Sequence, residues 1–265
     1  MNIGFIGGGN MATALISGFI LSKTVKPEEI FVYDVAEEVL KILSDKFGIT
    51  PSSSVPELED KADILIFAVK PNVMPIVLKQ INGFKNKLYI SIAAGITLDT
   101  LTRALGSDKK IVRVMPNTPA LVGCGMSVVC VKENIGLIGS DEIEIIDKLF
   151  KSVGDTVWLD EKYMNAAIAL HSSSPAYIYM LIDAMADSGV KYGIPKQLSL
   201  KLAAKAVEGS AKMVLSGDKH PQELKDNVCS PGGTTIAAVC ELEKTGFRAS
   251  VQSAIDACIK KADSM

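Results

Sequence analysis

Short β-branched and apolar runs alternate with helix-length segments through the first 160 residues, and there the alternation stops. The runs are Ile3–Ile6, Ile30–Asp34, Ile64–Val69, Leu88–Ala93, Ile111–Met115, Ser127–Val131 and Thr156–Leu159. Helices are expected to begin near Asn10, Val35, Val73, Thr97 and Asp141, and "PSSSVPELED" reads as a loop with a short helix. Alternation of this kind is the pattern of a parallel sheet with crossover helices, wound by right-handed connections into an open α/β layer.

Beyond Asp160 strand-like runs disappear, and Ala-rich segments with apolar residues at i, i+3 and i+4 take over, as in "AYIYMLIDAMADSGVKYG" and "LSLKLAAKAVEGSAKMVL". Gly193 with Pro195, and Gly217 with Pro221, punctuate them as helix ends. The expected organisation is therefore an α/β domain over 1–160 and an all-helical domain over 161–265. Small residues and Met recur around nearly the whole turn at 176–192 and 198–215. A helix apolar on most sides has to be covered. A compact bundle would do this in part; an interlocked homodimer formed through 161–265 does it without leaving a large apolar patch in water.

Charge narrows the partners. With 28 basic and 30 acidic residues among 265, the formal charge is −2, and no basic block suits a nucleic acid. The chain enters "NIGFIGGGN" without a charged leader, and no segment approaches the ~20 apolar residues of a membrane span, so a cytoplasmic location is expected. Five cysteines without C-x-x-C spacing suggest reduced, mostly buried thiols.

The first strand leads into Gly7-x-Gly9-x-x-Ala12 at the head of a helix. Glycines there let backbone N–H groups approach a pyrophosphate at a helix N-terminus, the arrangement of a dinucleotide site. The second strand ends in Asp34, about 20 residues further on, the spacing of a ribose-binding acid. Ile6, Gly7, Gly8, Gly9, Asn10, Met11 and Asp34 are thus expected at the cofactor. Three more loops leave carboxyl ends of strands, where ligands of open sheets gather: "AVKP" with Val69, Lys70 and Pro71, "SIAAG" with Ala93 and Ala94, and "VMPNTPA" with Asn117. The small alanines admit a flat ring, and the prolines stiffen the loops on the nicotinamide side. A carboxylate at Asp34 accepts from a ribose 2′-hydroxyl and repels a 2′-phosphate, which favours NADH. An outward-turned Asp34 with donors from Ser52–Ser54 would admit NADPH, so both cofactors stay in view.

"GFIGGGNMA", "AVKP", "RVMPNTPA", "PAYIYMLIDAMADSGVKYG", "GSAKMVL" and above all "ELKDNVCSPGGTTIAAVCELEKTGFRASV" resemble the Δ1-pyrroline-5-carboxylate reductase family nearly end to end. The resemblance implies a Rossmann-like N-terminal domain, a helical dimerisation domain, and homodimers assembled as a ring, a decamer of five dimers. It also implies hydride transfer from NADPH or NADH to the cyclic imine of 1-pyrroline-5-carboxylate, giving proline. In the family the second threonine of the glycine run, here Thr235, touches the ring nitrogen, which makes it the catalytic candidate. Asp226, Asn227 and Glu161 match positions around the bound product.

The glycine run suits that substrate on physical grounds. A Pro-Gly-Gly turn leading into a helix presents free N–H groups and partial positive charge to a carboxylate, which brings Ser230, Gly232, Gly233 and Thr234 into the expected site. Read as local structure alone, Ser230 or Thr234 would cap a helix running from Thr235 onward. One segment departs from the family: where Ser-Gly-Ser-Gly-Pro-Ala is usual, this chain has "HSSSPA", in which Ser173 and Pro175 keep the pattern and His171 replaces a serine. His171 is read as a capping or packing residue. The two histidines offer no metal or triad arrangement. A protonated imine is already electrophilic, so this sparse inventory of acids and bases suits its reduction. The competing readings are a β-hydroxyacid dehydrogenase, for which the Gly-x-x-x-Asn-x-x-Lys helix is missing, and a non-catalytic dinucleotide-binding protein.

Overall fold

The computed structural model describes residues 1–84, 86–132, 137–217 and 219–264. Two compact units result: Met1–Ser172 with the residues from Lys261 onward, and Ser173–Lys260.

In the first unit eight strands form one sheet: β1 (Ile3–Ile6), β2 (Ile30–Tyr33), β3 (Thr50–Pro51), β4 (Ile64–Phe67), β5 (Leu88–Ser91), β6 (Lys110–Met115), β7 (Gly125–Val131) and β8 (Gly154–Trp158), in the order β3-β2-β1-β4-β5-β6-β7-β8. Every neighbouring pair is parallel except β6 with β7. The helices are α1 (Asn10–Leu21), α2 (Glu37–Phe47), α3 (Val55–Lys61), α4 (Met74–Leu78), α5 (Leu98–Leu105), α6 (Ser140–Lys151) and the short α7 (Met164–Ala167).

Successive strand side chains point to opposite faces, so the sheet carries two apolar layers. Phe5, Val32, Ile66 and Val114 pack with Leu15 and Phe19 of α1 and Phe150 of α6. Ile6, Leu65, Tyr89 and Ile111 pack with Leu58 of α3, Met74 of α4 and Leu101 of α5. Both faces are therefore dry. The carboxyl ends of β1, β2, β4, β5 and β6 share one edge, and the loops expected to hold a cofactor all leave from it.

The second unit is helical: α8 (Ser174–Lys191), α9 (Lys196–Ser216), α10 (Pro221–Val228), α11 (Thr234–Lys244) and α12 (Phe247–Asp263), whose last turn counts with the first unit. α8 and α9 approach closely, since a Cβ on Gly189 would lie 2.5 Å from Ser199 Oγ. Among the described residues of this unit only Ala186, Ser199 and Ala203 are buried. Large apolar side chains stand outside, with Tyr179 61%, Met180 73% and Leu215 81% exposed. So thin a core cannot offset the entropy of ordering about ninety residues, and these faces require a partner.

Candidate functional site

The glycine turn is built by backbone. Gly7 adopts φ +99°, donates to Tyr33 O at 2.8 Å, and leaves no room for a side chain, because a Cβ would sit 2.6 Å from Ala68 O. Gly8 is filled from behind by α2, with Val39 and Leu43 under 3 Å from a would-be Cβ. At Gly9 nothing lies within 4 Å. Gly9 also caps α1 without a side-chain hydrogen bond, so the first N–H groups of α1 face an open space. Ala12 is buried against the sheet.

A cleft of about 310 Å³ opens here, lined by Ile6, Gly7, Gly9, Asp34, Val69 and Lys70 among others. Asp34 is fixed within it: Oδ2 accepts from Gly8 N at 2.7 Å and Oδ1 from Ala36 N at 2.9 Å. Each oxygen keeps a lone pair for a further donor. Asp34 follows β2 and Lys70 follows β4, strands on opposite sides of β1. Of the serines on the next loop, Ser53 Oγ donates to Glu57 and Ser54 Oγ accepts from Glu57 N, while Ser52 Oγ is buried without a hydrogen-bond partner. A glycine cradle, an uncapped helix head and an anchored carboxylate fit a dinucleotide. Gly8, and Asn10 and Met11 at the start of α1, lie outside the lining of this cleft, as do Pro71, Ala93, Ala94 and Asn117 on the neighbouring loops of the same edge.

Asn117 is spent internally, its Nδ2 donating to His171 O and its Oδ1 accepting from Met126 N, both at 2.9 Å. Glu161 is also engaged. One oxygen accepts from Arg113 Nη1 at 2.9 Å and from Leu98 N at 2.7 Å, tying the start of α5 to β6 and to the end of the sheet. Arg113 is 2% exposed, and its Nε and Nη2 have no hydrogen-bond partner. Burial first, and then the Glu161 carboxylate, push the neighbouring Cys130 thiol up to about 12 against the opposing pull of Arg113. Sequence reasoning passed over Arg113, since one basic residue inside "KIVRVM" carries no sign of a partner 48 positions away.

In the second unit the Pro-Gly-Gly turn has Gly232 at φ +67°, a left-handed conformation that favours glycine. Gly233 N donates to Ser230 O at 3.0 Å, and Gly233 is the N-cap of α11 with no side-chain cap. This corrects the capping expectation: neither Ser230 nor Thr234 caps the helix, which starts at Thr234, because the turn is closed by backbone. Thr234 is exposed and Thr235 half-buried. Asp226 and Asn227 end the preceding α10, where Cys229 N returns to Asp226 O and Asp226 pairs with Lys225 at 2.8 Å on the surface. Ser173 Oγ accepts from Cys258 Sγ at 3.3 Å. The five cysteines are free thiols, but only Cys130 is buried, which corrects the expectation of mostly buried thiols: Cys124 and Cys240 are exposed. Among the described residues no helix is long and apolar enough to cross a membrane.

Comparison with known proteins covers both units. Residues 161–265 match the family model for pyrroline-5-carboxylate reductase dimerisation, and residues 2–95 match that for NADP oxidoreductase, coenzyme F420-dependent. A pyrroline-5-carboxylate reductase of Escherichia coli (strain K12) is 46% identical over 265 residues, 99% of this chain and 97% of that protein. The crystal structure of Plasmodium falciparum pyrroline carboxylate reductase with NADP bound is similar at TM-score 0.90 and 35% identity, covering 100% of this chain and 97% of that one. The 1-pyrroline-5-carboxylate reductase of Streptococcus pyogenes is similar at TM-score 0.90 and 36% identity, covering 100% and 99%.

Proposed function

The chain belongs to the pyrroline-5-carboxylate reductase family, and from that premise we propose how its residues reduce a cyclic imine. It is an NAD(P)H-dependent oxidoreductase that converts 1-pyrroline-5-carboxylate to L-proline, the last step of proline biosynthesis. Full-length relatives of this one activity do not favour the hydroxyacid dehydrogenase or the non-catalytic reading.

The observation that carries the assignment of roles is the helix head at Gly233, shaped by glycine and left without a side-chain cap. The N–H groups of Thr234, Thr235 and Ile236 and the positive end of α11 receive the substrate carboxylate, helped by Ser230 and the side-chain-free Gly232 and Gly233. Thr235 donates its hydroxyl to the imine nitrogen or accepts from its protonated form, which holds the ring and polarises the carbon to be reduced. Ser173, Asp226 and Asn227 are assigned to the surroundings of this ring. Glu161 contributes through the ion pair that braces α5 and β6. A reduced nicotinamide, when bound, supplies the hydride. Ile6 to Met11 hold the pyrophosphate, the loops of Val69–Pro71, Ala93–Ala94 and Asn117 border the nicotinamide, and Asp34 accepts from the adenosine ribose. That carboxylate supports NADH as the preferred donor.

The enzyme is a homo-oligomer acting on a small molecule. Dimerisation through 161–265 is supported by the bare apolar faces of α8 and α9, and a ring of five dimers is the larger assembly proposed. Free thiols accord with a reducing cytoplasm. The test is spectrophotometric oxidation of NADH and NADPH with pyrroline-5-carboxylate, with 3-hydroxyacids and oxidised cofactor as the competing pair. Turnover of the imine alone is expected, and turnover of the hydroxyacids alone would overturn the reading.

A further inference from the structure

His171 has no part in the chemistry above, yet its ring lies between two backbone carbonyl oxygens. It lies in a single π-helical turn, Ile168–Ser172, of the kind that interrupts helices at functional places. Nδ1 is 2.5 Å from Ala167 O, within its own turn, and Nε2 is 2.8 Å from Met115 O, across 56 residues. Carbonyl oxygens only accept and a neutral imidazole carries a single N–H, so one of the two contacts is a hydrogen bond; with the hydrogen on Nε2 it is the long-range one to Met115 O. Two further bonds join the same partners: Asn117 Nδ2 donates to His171 O at 2.9 Å, and Ser172 Oγ to Pro116 O at 3.4 Å. Each of the consecutive residues Met115, Pro116 and Asn117 is thus tied to His171 or Ser172. Asn117 passes the restraint to β7 through Met126 N.

The restrained stretch is the loop that leaves β6 at the ligand edge of the sheet, next to the Ala93–Ala94 loop. The imidazole reaches this loop by a side-chain bond from a different element, the turn before α8. We propose that His171 is a positioning residue: by holding Met115 O its ring fixes the loop after β6, the rim that borders the nicotinamide, and so sets the alignment for hydride transfer. The proposal rests on the imine-reductase reading.

The test uses the full chain with His171→Ala and His171→Gln, the glutamine keeping a donor for Met115 O. In the free protein, hydrogen exchange at the Met126 amide is expected to speed up about fivefold in His171→Ala, the effect of one net hydrogen bond, and to return towards the parental rate in His171→Gln. With saturating substrates kcat is expected to fall by about the same factor in His171→Ala, with KM for the imine within about twofold. Parental exchange and kcat in a folded His171→Ala protein would overturn the clamp. So would equal losses in both variants that track the fall in Tm, since those report on the fold alone. If the parent does not reduce the imine, the functional reading fails, and the exchange measurement still decides whether the clamp exists.

Discussion

Replacing Asp34 by serine is expected to move cofactor choice from NADH towards NADPH. Oδ2 is bonded to the buried Gly8 N–H at 2.7 Å, and swinging the carboxylate away would strand that donor at a cost of about 1–3 kcal/mol. The carboxylate therefore stays where a ribose 2′-substituent arrives. A 2′-phosphate with charge of about −2 held ~4 Å away is repelled by about 2 kcal/mol even at the dielectric of water. The bond from a 2′-hydroxyl to the carboxylate, worth about 1.5–3 kcal/mol, is lost as well. Their sum corresponds to a preference for NADH of about a hundredfold or more in kcat/KM. The assay compares kcat/KM for both cofactors at saturating imine, alongside titration of each into the enzyme without imine. Asp34→Ser is expected to raise the NADPH-to-NADH ratio at least about tenfold, through removal of the charge. A strong NADPH preference in the parent, unchanged in the variant, would refute the role of Asp34 in reading the ribose.

Three further expectations rest on features described above. Thr235→Ala should lower kcat, and Gly233→Val should chiefly raise KM for the imine, each by about tenfold to a hundredfold, the worth of a hydrogen bond to a charged partner; parental kinetics in both folded variants would remove the carboxylate from this helix head. Light scattering at micromolar concentration should show a dimer or a multiple of it, and a stable, active monomer would contradict the exposed faces of α8 and α9. Lys110 first, and then the Gly139 N–H, hold Glu142 below the ordinary carboxylate range. A depressed acid stabilises the fold above its unfolded pKa and loses that contribution as pH falls through the folded one. Lys110→Met should therefore cost about 0.5–1 kcal/mol at pH 7 and progressively less below pH ~4.3, and a gap of equal size at pH 3 in denaturant unfolding would refute the pairing.

The strands and the glycine turn were legible because each is declared locally: apolar runs end at turn residues, and the glycines follow the first strand directly at the head of a helix. Asp34 was legible from spacing, but its anchoring by Gly8 was not, since the two lie 26 residues apart. The reversal of β7 is silent in the sequence, because a run such as Gly125–Val131 has the same pattern in either direction. The two-residue β3 is too short for any period to register. Arg113 with Glu161, and His171 with Met115, escaped for a shared reason: side-chain bonds across 48 and 56 positions follow from the finished fold and leave no periodic trace.

The order of the sheet also bears on how the protein is made. From β1 outward, each strand lies next to one already synthesised, β2 and β3 on one side and β4 to β8 in succession on the other. No strand has to be inserted between two that have already paired, so the sheet can grow as the chain leaves the ribosome, without undoing earlier ladders. Each addition covers one open edge and exposes the next, and the vulnerable interval runs from β4 until β8 is in place. Every strand described has then emerged before the first residue of α8 does. A stall after β8 would present a finished sheet, whereas a stall after β5 would present the bare, wholly buried-type strand Leu88–Ser91 to any neighbouring nascent chain.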